Sequence, residues 1–256
     1  MSNETEYINL KDKVVIISGG SQGIGKSMVE EFSKQKSKVF FIDIDADGAK
    51  KVIENLSQTD ATVPIFYQCN IKDKKKLNKI INEIGTSNNC IDILINNAAN
   101  DQRHKIDEVD EEYWQDRLDV NLNHAFFATQ ASVKYLKKSK YPSVINFSSV
   151  SWHVGVKNLI AYQTAKSGIH GLTKGLAREL GEFRIRVNAI VPGWIMTERQ
   201  LKLWINDETN KLIDDSQCLP DRIYPVDVAK LALFLASPDS KMMTSQFYKI
   251  DGGWMN

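Results

Sequence analysis

A serine, a tyrosine and a lysine near the middle of the chain have the residue types of a proton-transfer site. Tyr162 and Lys166 are four positions apart, so on a helix their side chains share one face about one turn apart. Ser149 follows an apolar run that is typical of a buried strand, which predicts a hydroxyl at the strand end. A neighbouring cation favours the phenolate, and a phenolate is a usable general base. Because Y-x-x-x-K pairs are common on helices by chance, the surrounding elements must decide.

Composition and charge exclude several classes of partner. The 256 residues carry a formal net charge of +1 with acidic and basic residues interspersed, so we expect neither nucleic-acid nor membrane binding. The three cysteines lie far apart without a C-x-x-C pair, which indicates no metal site and no disulfide framework. No apolar run approaches the roughly 20 residues of a membrane span. We therefore expect a soluble, cytoplasmic protein.

The first seventy residues of the chain contain the pattern of a phosphate-binding turn. A β-branched run at residues 13–18 leads into a glycine-rich segment at residues 19–25, and a helical pattern continues over residues 26–36. Glycines let the backbone approach a pyrophosphate, and a helix N-terminus offers unpaired N–H groups to it. This segment predicts a dinucleotide site.

The acidic residue that follows the second predicted strand, residues 38–42, indicates which dinucleotide binds. Asp43 comes eighteen residues after Gly25, about where a carboxylate accepts hydrogen bonds from both adenosine ribose hydroxyls. That charge would repel a ribose phosphate, the glycine loop contains no Lys or Arg, and Ile44 follows the aspartate. NAD is therefore favoured over NADP. The alternative is that Asp43 only starts a turn before the helix predicted from Asp47.

The rest of the chain keeps alternating between strand and helix patterns. This alternation predicts a single α/β domain over residues 1–256, with a doubly wound, mostly parallel sheet of seven strands and helices on both faces. Ligands bind outside the carboxyl ends of such strands. A lid-like segment is expected at about residues 195–220. The further strands are predicted at residues 63–69, 91–95, 144–147, 186–191 and 246–250, and the further helices at residues 47–57, 73–84, 111–138, 161–181 and 226–236.

Taken together, these motifs resemble the short-chain dehydrogenase/reductase family over nearly the whole chain. The glycine segment that starts at Ser18 corresponds to T-G-x-x-x-G-I-G, and the segment that starts at Asn96 corresponds to N-N-A-G. Ser18 replaces the usual Thr, Ala99 the usual Gly, and Asn70 an Asp that is common at the adenine edge. An amide and a carboxylate do not offer the same hydrogen bonds, so the Asn70 contact is the most affected.

The resemblance implies a Rossmann fold and a set of site residues. Tyr162 would accept the proton, Lys166 would lower its pKa and hold the nicotinamide ribose, Ser149 would bond the substrate oxygen, and Asn121 would orient a water that leads to bulk solvent. The implied cofactor contacts are Gly19, Ser21, Gln22, Gly23, Ile24, Asp43, Asn70, Ile71, Asn97, Ala98, Tyr162, Lys166, Pro192, Gly193, Ile195 and Thr197.

The segments after Asn97 and Ser149 are also similar to bacterial sugar 1-dehydrogenases of this family. They are polar, whereas a lipid-type substrate would need a mostly apolar slot. Asp101 and Arg103 could instead form a surface ion pair, His104 could be a satisfied surface histidine, and Trp204 could belong to the core. The expected substrate contacts are Asn100, Arg103, Ser149, Ser151, His153, Tyr162, Gln163, Trp194 and Arg199.

These expectations favour an NAD-dependent enzyme that oxidises the anomeric hydroxyl of an aldose to a lactone. A ketone or 3-oxoacyl reductase of the same family is one alternative, and a non-catalytic dinucleotide-binding regulator is another. The helices predicted at residues 111–138 and 161–181 each have more apolar face than one sheet surface covers. A homotetramer built through paired helices, as is frequent in the family, is therefore expected.

Overall fold

The computed structural model describes residues 5–255, in which seven strands form one continuous parallel sheet. The strands are β1 (Val14–Ser18), β2 (Lys38–Asp43), β3 (Ile65–Gln68), β4 (Ile93–Asn96), β5 (Ser143–Phe147), β6 (Arg186–Pro192) and β7 (Phe247–Ile250). Their order in the sheet is β3-β2-β1-β4-β5-β6-β7, and every neighbouring pair is parallel. The prediction of a doubly wound α/β sheet is confirmed.

Helices cover both faces of this sheet. They are α1 (Gly23–Lys34), α2 (Ala46–Ser57), α3 (Lys74–Ser87), α4 (Glu111–Leu118), α5 (His124–Leu136), α6 (Ser151–Val154), α7 (Ile160–Leu180), α8 (Glu198–Leu203), α9 (Asp207–Ser216) and α10 (Pro225–Ala236). One apolar core lies under α1, α2 and α10, and a second lies under α3, α5 and α7. Because both faces are covered, the central strands are apolar throughout rather than alternating.

The single helix predicted over residues 111–138 is interrupted in its middle. A π-helical turn over Asp119–Asn123 separates α4 from α5 and contains Asn121. Side-chain amides bond to nearby groups there: Asn121 Nδ2 donates to the Arg117 carbonyl at 2.9 Å, and Asn123 Nδ2 donates to Asp119 Oδ1 at 2.7 Å. Such local bonds compete with regular helix geometry, and π turns are frequent at functional sites.

The carboxyl ends of the central strands bring the predicted site residues to one edge of the sheet. β1 leads into the glycine loop, β4 into Asn97, β5 into Ser148 and Ser149, and β6 into Gly193. β1 lies between β2 and β4, so the chain reverses its direction of growth beside β1. The crevice at such a reversal is where ligands bind in open α/β sheets.

Arg186 is a buried cation that closes the end of α10. Its side chain is 6 % exposed, and its guanidinium donates to the carbonyl oxygens of Leu235 at 2.7 Å and Ser237 at 3.4 Å and to Ser240 Oγ at 2.9 Å. Burial lowers the Arg186 pKa to about 10, with an opposing effect from Tyr248. A cation at this place complements the carbonyl end of the helix.

Replacing Arg186 by methionine should lower the free energy of unfolding by about 3 kcal/mol, because buried carbonyl groups lose a charged donor. Urea unfolding followed by circular dichroism measures this change. The control is Arg184→Met, whose side chain is exposed beyond the end of α7 and where a shift within about 0.5 kcal/mol is expected. An equal loss in both variants would show that Arg186 contributes no more than a surface arginine.

Candidate active site

Lys166 lies on α7 with its ammonium group turned towards the end of β5. Its side chain is 2 % exposed, Nζ donates to the Phe147 carbonyl at 2.8 Å, and Nζ lies 5.5 Å from the centroid of the Tyr162 ring. Burial lowers the Lys166 pKa to about 7, and the Asp101 carboxylate acts in the opposite direction. The predicted pairing of lysine and tyrosine on one face of a helix is therefore present.

The electrostatic setting of Tyr162 differs from the sequence prediction. Burial is the main cause that raises the Tyr162 pKa, the Asp101 carboxylate raises it further, and the Ser149 hydroxyl and the Arg103 guanidinium lower it. The groups that shift this pKa do not include Lys166, and the expectation that its charge favours the phenolate stays a prediction. Desolvation of the phenolate dominates, and the lysine ammonium is engaged by the Phe147 carbonyl.

Ser149 and its neighbours connect the end of β5 to α7. The Ser149 hydroxyl is within hydrogen-bonding reach of the Tyr162 phenol, and its Oγ accepts the Ser151 N–H at 3.1 Å. Ser148 Oγ donates to the Lys166 carbonyl at 2.8 Å and lies 3.0 Å from His170 Nε2. The hydroxyl that follows the strand is thus held beside the phenol, as its position predicts.

Asn121 uses its side chain to hold a loop. Nδ2 donates to the Asn100 carbonyl at 3.1 Å, and Oδ1 accepts the Asn100 N–H at 2.8 Å. With a second Nδ2 bond to Arg117, both amide hydrogens are engaged. Both donor hydrogens of Asn121 thus help to fix the loop after β4, and the expectation that this residue orients a water stays a prediction.

His124 is a buried group near the site that sequence reasoning missed. It begins α5 directly after the π turn and is almost fully buried. Burial lowers its pKa to about 3, the charge of Lys166 lowers it further, and the Ala98 carbonyl opposes both. A neutral imidazole therefore lies close to Lys166. In the sequence, the only signal for His124 was its spacing from Asn121. That spacing can be interpreted only when the π turn between them is known.

The glycine loop and the segment after β4 are joined by short polar contacts. Ser18 Oγ accepts the backbone N–H groups of Asn97 and Ala98, each at 3.1 Å. Asn97 Nδ2 donates to the carbonyl groups of Ser18 and Gly19, each at 3.0 Å. A Cβ at Gly19 would lie 2.8 Å from Ala98 Cα, and the φ of +72° at Gly19 also favours glycine. Ser18 thus supports the turn, although it replaces the usual threonine.

Asp43 lies directly beside the glycine loop. Oδ2 accepts the Ser21 N–H at 2.9 Å, and Oδ1 accepts the Asp45 N–H at 3.0 Å. Gln22 is tied to the same turn, since its Nε2 donates to Asp45 Oδ2 at 2.6 Å. The carboxylate therefore holds the turn, and it also lies where the sequence predicts an acceptor for the ribose.

Four of the predicted cofactor contacts lie in places that restrict what they can offer. The side chains of Ile71 and Ile195 are buried in the apolar core, so their predicted contacts concern the backbone. Ile24 is half-buried against the same core as Ile195. Asn70 is exposed, and its Oδ1 accepts the Lys72 N–H at 3.1 Å in the turn before α3. No contact in the described chain joins Asn70 to the glycine loop.

The segment after β6 approaches the glycine loop from the opposite side. The Pro192 carbonyl accepts the Val150 N–H at 3.1 Å, and Gly193 N donates to Ile250 at 2.9 Å. A Cβ at Gly23 would lie 3.3 Å from Thr197 Cγ2, so Thr197 contacts the loop. Thr197 also starts α8 by accepting the Gln200 N–H at 3.2 Å. Of the predicted contacts on this segment, Thr197 is thus brought to the glycine loop.

The loop over residues 100–104 contacts α8 and Trp204, the residue that follows α8. Asp101 accepts hydrogen bonds from Arg199 Nε at 3.3 Å and Gln200 Nε2 at 2.9 Å. The Arg103 guanidinium lies 4.8 Å from the centroid of the Trp204 ring. The alternative of an Asp101–Arg103 surface ion pair is therefore wrong, and Trp204 is half-buried under Arg103 rather than in the core. Asp101 and Gln200 were not predicted as site residues.

The other predicted substrate contacts are distributed unevenly around Tyr162. Gln163 donates from Nε2 to the Val156 carbonyl at 2.6 Å, which leaves its amide oxygen available. Asn100 Oδ1 accepts the Gln102 N–H at 2.9 Å. His153 is exposed against Trp152, and Trp194 is stacked on Trp254. Ser151 is buried beside Ser149. The structure thus joins Ser151 to the core of the site, whereas His153 lies at its surface.

Comparison with known proteins decides the family. The family profile described as enoyl-(acyl carrier protein) reductase, which matches short-chain dehydrogenases, covers residues 19–255. The chain belongs to the short-chain dehydrogenase/reductase family. It is thus an oxidoreductase that acts on CH–OH groups and uses a nicotinamide dinucleotide.

Several members of the short-chain dehydrogenase/reductase family match the chain over almost its full length. The D-xylose 1-dehydrogenase of Caulobacter vibrioides is 43% identical over 97% of this chain and 98% of its own. A probable galactose dehydrogenase of Rhizobium meliloti is 38% identical over 97% of both chains. The solved structure of the aldohexose dehydrogenase of Thermoplasma acidophilum is 28% identical with a TM-score of 0.84, and the match covers 97% of this chain and 96% of that one.

The residues of this short-chain dehydrogenase fit a nicotinamide dinucleotide. The residue before α1, Gln22, offers no side-chain cap, so the first N–H groups of this helix remain available to a pyrophosphate. Gly19, Gly23 and Gly25 leave room where a Cβ would meet Ala98, Thr197 or the Gly19 carbonyl. Asp43 supplies an acceptor at the next strand end. The glycine loop, Asp43 and the segment up to Thr197 would hold the dinucleotide.

Two negative findings concern the same enzyme. Within residues 5–255, no three His, Cys, Asp or Glu side chains are grouped so that they could hold a metal ion. None of the helices in that described range is long and apolar enough to span a membrane.

Proposed function

We propose that this enzyme oxidises the anomeric hydroxyl of a cyclic aldose to an aldonolactone with NAD. Two of the relatives above are named for the oxidation of xylose or galactose. The observation that carries the proposal is a set of polar atoms that are spread over the segments that follow β4, β5 and β6. These atoms are buried and find no partner among the described residues: Arg103 Nε, Ser151 Oγ, Trp152 Nε1, Trp194 Nε1 and Trp204 Nε1.

Buried donors without a partner favour a substrate that is rich in oxygen. A buried polar group that stays unpaired costs roughly 1–3 kcal/mol, so a ligand that pairs it gains that energy. Ring hydroxyls of an aldose can accept from indole and guanidinium N–H groups and donate to Asp101 or to the Gln163 amide oxygen. An acyl chain has no groups to offer to them. This argument favours the sugar over the acyl substrate that the family profile names.

The residues around Tyr162 divide the proton chemistry. Tyr162 would take the proton of the anomeric hydroxyl while Ser149, within reach of the phenol, holds the same oxygen. Lys166 stabilises the phenolate by its charge from one turn further along α7. Asn121 keeps the loop after β4 in place. When bound, the oxidised nicotinamide supplies the hydride acceptor and one positive charge.

The segment over residues 198–220 would act as a lid. It contains α8 and α9 and is tied to the loop after β4 through Asp101 and Trp204. Its other end is tied to the C-terminal strand region, since the backbone N–H groups of Cys218 and Leu219 donate to the Gly252 carbonyl. A segment that is held at two ends can close over a substrate and exclude water.

A panel of substrates with both nicotinamide cofactors tests the proposed function. Reduced cofactor should appear with NAD and at least one pentose or hexose aldose. Formation of oxidised cofactor from NADH or NADPH with 3-oxoacyl or ketone substrates, together with no aldose activity, would favour the reductase alternative. No turnover of any substrate despite dinucleotide binding would favour the non-catalytic regulator.

The cofactor preference should depend on the charge of Asp43. Two unit charges about 4 Å apart near a protein surface repel by roughly 4 kcal/mol, so a ribose phosphate is disfavoured there. Asp43→Asn keeps the shape and one acceptor but removes the charge, and the ratio of kcat/KM for NAD over NADP should fall by about tenfold or more. Asp43→Ala also loses the bonds to Ser21 and Asp45, so its KM for NAD should rise further. An unchanged ratio in both variants would remove Asp43 from cofactor selection.

The proposed homotetramer would use the outer faces of α5 and α7. Phe126 on α5 is 40 % exposed, and an added Cβ at Gly171 or Gly175 on α7 meets no atom within 4 Å. The Gly171→Arg protomer should therefore fold normally, but the mass of the assembly measured by light scattering should be lower than that of the wild type. A wild-type monomer at low concentration would contradict the assembly. A tetramer that is unchanged by Gly171→Arg would place the contact elsewhere.

A further inference from the structure

The helix that carries Tyr162 and Lys166 begins without a cap of its own. α7 starts at Ile160, and Leu159 at the N-cap position offers no side-chain hydrogen bond. The first N–H groups of a helix lack partners within the helix. One of them, the Ala161 N–H, instead donates to Nε2 of His104, which lies 3.4 Å away on the loop after β4. A histidine that is distant in sequence thus takes the place of the missing cap.

Several contacts hold the His104 ring and backbone in place. Its side chain is 5 % exposed, and its ring packs edge-on against Tyr113 of α4. Because Nε2 accepts a hydrogen bond, the imidazole proton must be on Nδ1. Nδ1 lies 3.1 Å from the Tyr113 hydroxyl and 3.4 Å from the Gln102 carbonyl. The backbone N–H of His104 donates to Asn158 at 3.0 Å. The ring is therefore fixed in both orientation and tautomer.

We propose that His104 is a positioning residue, which fixes the first turn of α7 and thereby the place of the Tyr162 hydroxyl. Ala161 directly precedes Tyr162, so a shift of the Ala161 amide moves the phenol relative to Ser149. His104 also closes the loop that Asn121 holds at Asn100. The sequence left open whether this histidine lies at the substrate site or at the surface, because its partner lies 57 positions further along the chain.

Two substitutions separate the hydrogen bond from the packing. His104→Leu removes the Nε2 acceptor and fills the same place with an apolar side chain. In His104→Gln, the amide oxygen can replace Nε2 as the acceptor. His104→Leu should lower kcat by about tenfold to a hundredfold, since small misplacements of a reacting group have effects of this size. The KM for NAD and the affinity for NADH should stay within about twofold, and His104→Gln should recover most of kcat.

Hydrogen exchange tests the contact without relying on turnover. The Ala161 amide should exchange faster in His104→Leu than in the wild type, and His104→Gln should restore its protection. Asp73→Ala is the control, because Asp73 caps α3 by accepting the Lys76 N–H. This control should lose stability while kcat and Ala161 exchange stay unchanged.

This inference rests on the proposed function only in taking Tyr162 as the base, so the two can fail separately. If no aldose is oxidised, the exchange of the Ala161 amide still tests the cap. If Ala161 exchange is equal in the wild type and His104→Leu, the cap is absent. If exchange rises but kcat does not fall, or if Asp73→Ala lowers kcat as much as His104→Leu, the cap does not position Tyr162.

Discussion

Replacing Tyr162 by phenylalanine should lower kcat by about a thousandfold or more, at the upper part of the range for loss of a general base. The substitution removes one oxygen from α7. The aromatic ring stays beside Lys166, and the glycine loop is unchanged. NADH binding, followed by fluorescence, should therefore match that of the wild type. For oxidation, kcat should rise with pH, because the phenol must lose its proton and burial raises the Tyr162 pKa.

Two further variants define this result. Tyr141→Phe removes an exposed phenol outside the site and should leave kcat unchanged. Lys166→Ala should lose part of both turnover and cofactor affinity, because the lysine is buried beside the tyrosine. If Tyr162→Phe retained most of its activity, the base would have to be another group, and His153 would be examined first.

Removal of one ring hydroxyl from the preferred aldose should lower kcat/KM by up to about 10⁴-fold. A site that is built to pair hydroxyl groups leaves its own polar atoms unpaired when a hydroxyl is missing. Arg103 Nε and Trp204 Nε1 are buried without partners among the described residues, and the Asp101 carboxylate on the same loop as Arg103 accepts hydrogen bonds from Arg199 and Gln200. We expect at least one deoxy analogue to show this discrimination, measured as kcat/KM for each position of the ring.

Substitutions at the site should show which side chains form hydrogen bonds with the ring hydroxyls of the sugar. Gln163→Ala removes the amide oxygen that faces away from the Val156 contact and should raise the sugar KM more than it lowers kcat. His153→Ala should do the same to a smaller extent, because this side chain is exposed. Deoxy analogues that all retain full efficiency would show that hydroxyl pairing does not select the substrate.

The sheet and the strand ends could be predicted because their signals are local. β-branched runs, glycines at the turn and periodic apolar residues each act over a few positions, and these patterns predicted the parallel sheet of seven strands and the place of Ser149. Tyr162 and Lys166 are found together for the same reason, since helical spacing alone brings them to one face.

The remaining features depend on contacts between residues that are distant in sequence. Asp101 meets Gln200 across 99 positions, and no local pattern indicates that pair. The π turn at Asn121 results from a side chain that bonds to a loop and to its own helix. The Tyr162 pKa depends on burial, and burial depends on how every element packs.

Isotope transfer from the anomeric carbon tests the central claim most directly. An aldose that is oxidised by the enzyme would be prepared with deuterium on its anomeric carbon and incubated with enzyme and NAD. We expect the deuterium to appear in the reduced cofactor, the sugar product to be a lactone without the label, and kcat/KM to be lower than with the unlabelled sugar. A reduced cofactor without deuterium, together with a product that keeps the label, would show that another carbon is oxidised and would contradict the proposed function.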